Sequence, residues 1–347
     1  MAKKVKIGII GAGNIAQNAH LPAYLKQDDV ELFGVYDIKE SRSKEVAERF
    51  GFKHVATSLE ELVTMEELDA VSVCTWNNGH AEAVIAAAKA GKHILCEKPM
   101  AMTVAETEAM AEAVRAADVT FMMGFVNRFR TESQIIREFA DQGKFGEIYY
   151  AKTGIIRRRG TPLGWFTDLS KSGGGPVIDL GVHAIDVTWY YMGKPAPVSV
   201  SATTYNKIGD YKTKGVSRWE ALDTDDLVFE TEDSAAALIR FENGASMTVD
   251  VTWAINGADR DIYSEVFGTK AGASLNPFVI YGEEGGYLTD NKPIVTGKNM
   301  FDNQIRHFLD CIKTGQQPIA TLEDGMEIQK ILNGIYESAR LGREVQL

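Results

Sequence analysis

The sequence predicts an α/β protein of two domains: a doubly wound parallel sheet over residues 1–124, then an α+β domain over 125–347 on a mainly antiparallel open sheet. Three observations carry this reading. Up to about residue 124, short apolar runs rich in β-branched residues alternate with longer segments of helical period, the pattern of βαβ units. From about residue 145 the period drops to two. The length of 347 residues, 45% of them hydrophobic, is roughly twice the ~150 residues of one domain and enough for two cores.

In the first domain, strands are expected at 5–10, 32–36, 70–74, 93–96 and 121–123. Alanine-rich helical stretches at 80–90 and 104–116 lie between them, the first stopped by Gly91. In the second domain the clearest strand is 246–255, where Met247, Val249, Val251, Trp253 and Ile255 alternate with polar residues. Further strands at 198–204, 227–231, 235–241 and 262–267 follow one another with turn signals such as Asn243-Gly244, which favours antiparallel pairing. A helix over about 177–192 interrupts them, and helices at 301–313 and 323–341 close the chain.

Composition narrows the function. Thirty-seven Lys and Arg against 48 Asp and Glu give a net charge of -11 with no long single-sign block, which disfavours nucleic acid and acidic membranes as partners. Cys74, Cys96 and Cys311 are far apart, with no CxxC and no metal-type spacing, so a disulfide scaffold and a metal site are not expected and a reducing, cytoplasmic setting fits. The apolar run after Met1-Ala2-Lys3-Lys4 is too short for a signal peptide and is broken by glycine, and no stretch approaches a membrane span.

The first strand runs directly into Gly11-Ala12-Gly13-Asn14-Ile15-Ala16 and then a helical stretch. Among 32 glycines such spacing arises by chance, so the context matters. Gly11 permits a tight turn, Gly13 lets a pyrophosphate approach the backbone, and Ala16 permits close packing, while the N–H groups at the helix start, beginning with Asn14 and Ile15, face the phosphates. Asp37 stands 24 residues after Gly13 at the end of the next strand, where a carboxylate accepts hydrogen bonds from the adenosine ribose. A 2′-phosphate there would meet like charge, so NAD is expected over NADP, although Lys39 and Arg42 soften the choice. The N-terminal domain thus reads as a Rossmann-type dinucleotide domain.

The strand at 93–96 ends in Glu97-Lys98-Pro99, which puts a lysine at the carboxyl edge of the sheet, where such folds bind ligands. Lys98 there either stabilises a substrate oxygen during hydride transfer or is a solvent lysine in a loop. In the second domain, Ser172-Gly173-Gly174-Gly175-Pro176 leads into Asp179 and His183, four apart on the expected helix and therefore on one face. A carboxylate beside an imidazole suits a general base. Taken alone, the pair more ordinarily reads as a capping aspartate and a buried histidine. Zinc is discounted because no further ligand is near in sequence.

The order Gly-x-Gly-x-x-Ala, Glu97-Lys98-Pro99, Asp179-x-x-x-His183 resembles the Gfo/Idh/MocA family, which includes glucose-fructose oxidoreductase and inositol dehydrogenase. The similarity extends to Gly124-Phe125-Val126-Asn127-Arg128-Phe129, Arg240-Phe241-Glu242-Asn243-Gly244 and Tyr336-Glu337-Ser338-Ala339-Arg340-Leu341-Gly342-Arg343. It implies that Lys98, Asp179 and His183 are the catalytic set, with Lys98 polarising the reacting oxygen, His183 moving the proton and Asp179 orienting substrate or His183. It also implies that Glu97 and Asn127 lie beside the nicotinamide. Thr75-Trp76-Asn77-Asn78-Gly79-His80 occupies the family's nicotinamide-ribose position, where Trp76 departs from the usual Thr-Pro-Asn-like pattern. Asn77 and His80 could instead cap the following helix.

A polyhydroxylated substrate needs several hydrogen bonds and aromatic surface, and Arg157-Arg158-Arg159-Gly160-Thr161-Pro162-Leu163-Gly164-Trp165-Phe166 supplies both. Alternation sends one or two of these arginines to solvent, and Arg158 is the preferred ligand, with Trp165 as aromatic surface. His307 joins the substrate residues because the resemblance puts its helix near the cleft. His20, His54 and His93 are expected to be structural or at the surface. The function expected is NAD(P)-linked oxidation or reduction at a secondary alcohol of a sugar, sugar derivative or inositol. The alternatives are an NAD-retaining glycosidase and a non-catalytic dinucleotide sensor. Relatives of this kind associate through the open sheet face, which implies a homodimer or homotetramer.

Overall fold

The computed structural model describes residues 4–216 and 228–347. Among these residues the strands form two sheets, six-stranded and nine-stranded. The chain divides into two compact units, residues 1–126 with 299–326, and 127–298 with 327–347.

The first unit is built on β1 (Val5–Ile10), β2 (Val30–Tyr36), β3 (His54–Val55), β4 (Ala70–Val73), β5 (His93–Cys96) and β6 (Phe121–Met123). All pair in parallel, in the order β3-β2-β1-β4-β5-β6. Ile7, Ile9, Ile10, Val71, Val73, Ile94 and Leu95 are at most 1% exposed, which is why these strands read as continuous apolar runs: both faces of the sheet are covered. The order reverses between β1 and β4, the switch point at which ligands bind in such sheets. After β1 a π-type turn (Ala16–His20) leads into α1 (Leu21–Leu25). The covering helices are α2 (Glu40–Phe50), α3 (Leu59–Val63), α4 (His80–Lys89) and α5 (Val104–Ala117). A capping box starts α5, Thr103 Oγ1 accepting from the Glu106 amide while the Glu106 carboxylate accepts from the Thr103 amide.

The second unit opens with α6 (Thr131–Asp141) and β7 (Ile148–Ile156). A one-turn α7 (Leu169–Ser172) precedes a π-type turn (Val177–Gly181) that continues into α8 (Val182–Tyr191). The sheet is completed by β8 (Pro197–Tyr205), β9 (Ser234–Phe241), β10 (Ser246–Thr252), β11 (Arg260–Gly268), β12 (Gly272–Ser274), β13 (Val279–Glu284), β14 (Tyr287–Asn291) and β15 (Val345–Gln346). Its order is β14-β13-β12-β11-β7-β10-β9-β8-β15, antiparallel throughout except for the parallel pair β7 and β10.

Two expected strands need correction. Leu227 lies outside the described residues, and 228–231 form no strand: the Glu230 amide donates to the Thr167 carbonyl and so follows a loop instead of a ladder. The strand expected to reach residue 255 stops at Thr252, and Ile255 is 37% exposed. Met247, Val249, Val251 and Trp253 are all buried, as their alternation indicates. The closing helices are α9 (Met300–Thr314) and α10 (Leu322–Leu341). Residues 299–326, including α9, belong to the first unit, although the sequence reading assigns them to the second domain. Ion pairs hold α9 there, Lys26 to Asp302 at 2.7 Å and Arg306 to Asp29 at 2.9 Å.

One contact in the second unit bears on stability. Arg128 and Asp186 are 0% and 1% exposed, with Arg128 Nε and Nη2 donating to Asp186 Oδ1 at 3.0 and 2.6 Å. The guanidinium also lies 4.9 Å from the ring centroid of Tyr190. Removing one partner strands a buried charge. Arg128→Ala is therefore expected to cost about 3–5 kcal/mol in urea unfolding, and Arg128→Met with Asp186→Leu to recover most of it. Equal losses in the single and double variants would show that the pair is not the source.

Candidate active site

Gly11 has φ +89°, and a Cβ there would lie 2.7 Å from the Cys74 carbonyl and the Thr75 amide nitrogen. The glycine therefore lets the end of β1 pass against the end of β4. Gly13 differs, since a Cβ on it would meet nothing within 4 Å. The fold itself does not demand glycine at that position. A backbone laid bare to open space beside Asn14 and Ile15, where the helix begins, fits the pyrophosphate of a dinucleotide. Ala16 is fully buried.

Asp37 is 7% exposed and does more than end β2. Its Oδ2 accepts the Ala12 amide at 2.8 Å, and its Oδ1 accepts the Lys39 amide at 2.9 Å and Arg42 Nη1 at 3.3 Å. The carboxylate thus ties the glycine turn to β2, and a ribose hydroxyl reaches it by displacing Arg42 Nη1, whose contacts at 3.3 and 3.4 Å are its longest. These residues fit a nicotinamide dinucleotide.

The two glycines lead to different expected results. Gly13→Ala should leave thermal unfolding unchanged yet weaken NADH binding about 10- to 100-fold, which is about 1.4–2.8 kcal/mol. Gly11→Ala should instead destabilise the fold, because a left-handed conformation alone costs about 1–2 kcal/mol and the backbone clash adds to it. Fluorescence titration of NADH with differential scanning calorimetry separates the two; unaltered NADH affinity in Gly13→Ala would remove that residue from the binding surface.

At the ends of β4 and β5 the same unit gathers Thr75, Trp76, Asn77, His80, Glu97 and Lys98. Trp76 precedes a one-turn 3₁₀ helix (Asn77–Gly79), and α4 begins at His80, whose ring is turned to the Pro99 and Thr75 carbonyls. The ring of His80 is 1% exposed, with Nδ1 2.7 Å from the Pro99 carbonyl and Nε2 3.3 Å from the Thr75 carbonyl. Burial lowers its pKa, and a neutral ring with one N–H gives it to the nearer Pro99 carbonyl. His80 therefore braces the Lys98-Pro99 segment from behind. Glu97 is 6% exposed; its Oε1 lies 2.8 Å from His20 Nε2 and its Oε2 accepts the Lys98 amide at 3.2 Å. Lys98 itself is half-buried.

In the second unit the Asn127 carboxamide lies 3.3 Å from Nδ1 of His183. An amide can serve either tautomer, presenting NH₂ to a bare nitrogen or oxygen to an N–H. The Arg128–Asp186 pair sits one residue after Asn127 and three after His183, so it locks the segment Val126–Phe129 against α8 and fixes this contact. Asp179 Oδ2 accepts the indole N–H of fully buried Trp253 at 3.0 Å.

The π-type turn carrying Asp179 is anchored at its start by half-buried Glu232, whose carboxylate accepts the amides of Gly175 at 2.9 Å and Val177 at 3.1 Å and the Tyr336 hydroxyl at 3.0 Å. Burial raises the pKa of Glu232, against the lowering pull of those donors. The close packing also explains the glycine run. A Cβ on Gly174 would lie 2.0 Å from the Tyr336 hydroxyl, and one on Gly175 2.2 Å from the Glu232 carbonyl. Trp253, Glu232 and the Arg128–Asp186 pair were not singled out for the site from sequence. Trp253 left a trace as the last buried residue of an alternating run, and Arg128 as part of the Gly124–Phe129 motif.

The arginine segment separates by role. Arg159 donates to the Arg158 and Ile255 carbonyls and to Asn256 Oδ1, and Arg157 turns back towards the Gly160 carbonyl. Arg158 is exposed, its amide held by Asp259. Trp165 is half-buried and stacked on Phe166, with centroids 4.0 Å apart. His307 lies in the first unit, where its Nε2 accepts the Ile319 amide at 3.1 Å and sits 3.5 Å from Cys311 Sγ. Among the described residues no group of three His, Cys, Asp or Glu could hold a metal, and no helix is long and apolar enough to cross a membrane.

Known proteins match both halves of the chain. The NAD-binding Rossmann-fold model of the Gfo/Idh/MocA oxidoreductase family matches residues 5–125, and its C-terminal α/β-domain model matches 137–347. D-glucoside 3-dehydrogenase of Escherichia coli is 34% identical over 99% of this chain and 97% of its own. Myo-inositol 2-dehydrogenase of Thermotoga maritima is 28% identical over 92% of each chain. The crystal structure of aldose-aldose oxidoreductase from Caulobacter crescentus, complexed with glycerol, superposes with a TM-score of 0.82 at 26% identity, over 99% of this chain and 100% of that one. The chain thus belongs to the Gfo/Idh/MocA family and is an NAD(P)-dependent oxidoreductase.

Proposed function

We propose that the protein oxidises a secondary alcohol of a sugar, sugar derivative or inositol, with NAD as the usual acceptor. The observation that carries this reading is the gathering of the glycine turn and the Glu97-Lys98 segment at the carboxyl ends of β1, β4 and β5, joined to the near full-length similarity to a glucoside dehydrogenase. A bound nicotinamide supplies the hydride acceptor, and the chain's own residues handle the oxygen and the proton.

In this reading Lys98 stabilises negative charge on the substrate oxygen as the carbinol C–H bond breaks. His183 takes the hydroxyl proton: the Asn127 Nδ2 faces Nδ1, and a flip of that carboxamide puts its oxygen on Nδ1–H and makes Nε2 the basic nitrogen. Asp179, held by Trp253, accepts a substrate hydroxyl or orients His183. Thr75, Trp76, Asn77 and Glu97 serve the nicotinamide side, while His80 acts through the backbone it braces. Exposed Arg158 and the Trp165 face are the substrate contacts. His307, whose Nε2 accepts the Ile319 amide, stays a candidate on the substrate side. Asp37 favours NAD, and Arg42 beside it leaves some access to NADP.

The cytoplasm suits three free, buried cysteines. A homodimer or homotetramer is proposed to form over the open face of the second sheet, where a basin of about 560 Å³ is lined by Lys152, Thr248, Asp250, Arg260 and Tyr263. Light scattering should give two or four chains per particle, and Asp250→Arg should shift it towards one; a monomeric parent would refute the assembly.

The function is tested with a panel of glucosides, aldoses, inositols, sugar acids and anhydrosugars, each with NAD and NADP, followed by absorbance of the reduced cofactor. At least one member should give sustained turnover, faster with NAD. No turnover with any of them would overturn the substrate class.

A further inference from the structure

His20 ends the π-type turn that follows the glycine turn, and it is completely buried. Its Nε2 meets Glu97 Oε1 at 2.8 Å, a pair whose side chains are 0% and 8% exposed. The other oxygen of that carboxylate accepts the Lys98 amide. Glu97 has little freedom on its remaining side, since a Cβ on Gly124 would lie 3.0 Å from both its Cα and its Oε1. The π-type turn aims the ring: its wider i→i+5 step, closed by the Leu21 amide on the Ala16 carbonyl, alters the angular position of each side chain after it.

The groups facing the ring are the Glu97 carboxylate after β5, the Cys74 thiol after β4, and the Phe301 ring of α9 at 6.5 Å. Burial opposes charging the imidazole, while Cys74 and the Glu97 carboxylate raise its pKa. A ring N–H donating to a carboxylate away from water forms a strong, directional hydrogen bond, stiff enough to transmit position.

We infer that His20 is a positioning residue for the reaction: paired with Glu97, it holds the Lys98 backbone in place and mechanically joins the dinucleotide turn to the lysine. The inference rests on the role of Lys98 proposed above. A ring that only filled space would affect stability alone, whereas a positioning ring governs kcat through Glu97.

The test compares His20→Gln, His20→Ala, Glu97→Gln, the double variant His20→Ala/Glu97→Gln, and Lys98→Met, on a substrate that the parent turns over. His20→Gln, which keeps a donor without the charge, is expected to lower kcat about 10-fold, with KM and NADH affinity changed less than about 3-fold. His20→Ala should lower kcat about 100-fold and recover in part with added imidazole. Glu97→Gln should absorb most of that loss, so that the double variant is little worse than the worse single one. If His20→Ala fails to fold, His20→Gln carries the test by its kcat-to-KM split. Unchanged kcat in the His20 variants while Lys98→Met is inactive overturns the inference and leaves the lysine's role standing. Strict additivity in the double variant also overturns it. Full turnover in Lys98→Met overturns both.

Discussion

Lys98→Met should lower kcat about 10²- to 10³-fold, the usual loss when a preorganised group that stabilises transition-state charge is removed. Methionine keeps the unbranched stem and discards the ammonium, so NADH binding and unfolding should be nearly unaltered. The size of the effect follows from preorganisation. The Lys98 amide is bonded to a buried carboxylate, and the next residue's carbonyl to a buried histidine, so the segment is held before substrate arrives. A lysine in a free solvent loop would show less than a 3-fold change, and that outcome would return Lys98 to the ordinary reading of its position.

His183→Ala should cost about 10²- to 10⁴-fold in kcat, the range for a general base, again with NADH affinity retained. The loss should depend on pH: hydroxide can take over from an absent base, so the gap to the parent should narrow as pH rises. Asn127→Ala should produce a smaller loss of the same kind, because it removes the partner of Nδ1 that selects the tautomer. A deficit constant from pH 6 to 10 would mean that His183 binds substrate and does not move the proton.

Local order made the first unit readable. A strand, a glycine turn, a helix and an acid succeed one another within one βαβ unit, so Gly11 and Asp37 could be assigned from neighbouring residues, and the structure bonds Asp37 back onto Ala12. The packing of Glu97, Asp179 and the Gly173–Gly175 run could not be read in this way. Their partners lie far along the chain: His20 is 77 residues from Glu97, Trp253 is 74 from Asp179, and Glu232 is 57 from Gly175. Single side-chain contacts over such separations leave no period in the sequence.

The two π-type turns were equally hidden, since one extra residue in a helical turn barely disturbs the apolar pattern. Strands β12 to β14 also escaped: β13 and β14 are largely exposed, so no face is selected for apolar residues and the alternation that revealed β10 is missing. The segment 228–231 failed in the opposite direction. Its valine and phenylalanine suggested a strand, but the neighbouring Glu232 is committed to the helix start and the Glu230 amide to Thr167.

The account turns on a hydride leaving a carbinol carbon of the substrate for the nicotinamide. The most direct measurement is isotopic: a substrate carrying deuterium at its secondary carbinol carbons is incubated with the enzyme and NAD, and the reduced cofactor is weighed by mass spectrometry. One deuterium per reduced cofactor, with slower turnover than the protiated substrate when chemistry limits the rate, is the predicted result. Reduced cofactor without deuterium, or product formed with no reduced cofactor, would contradict it.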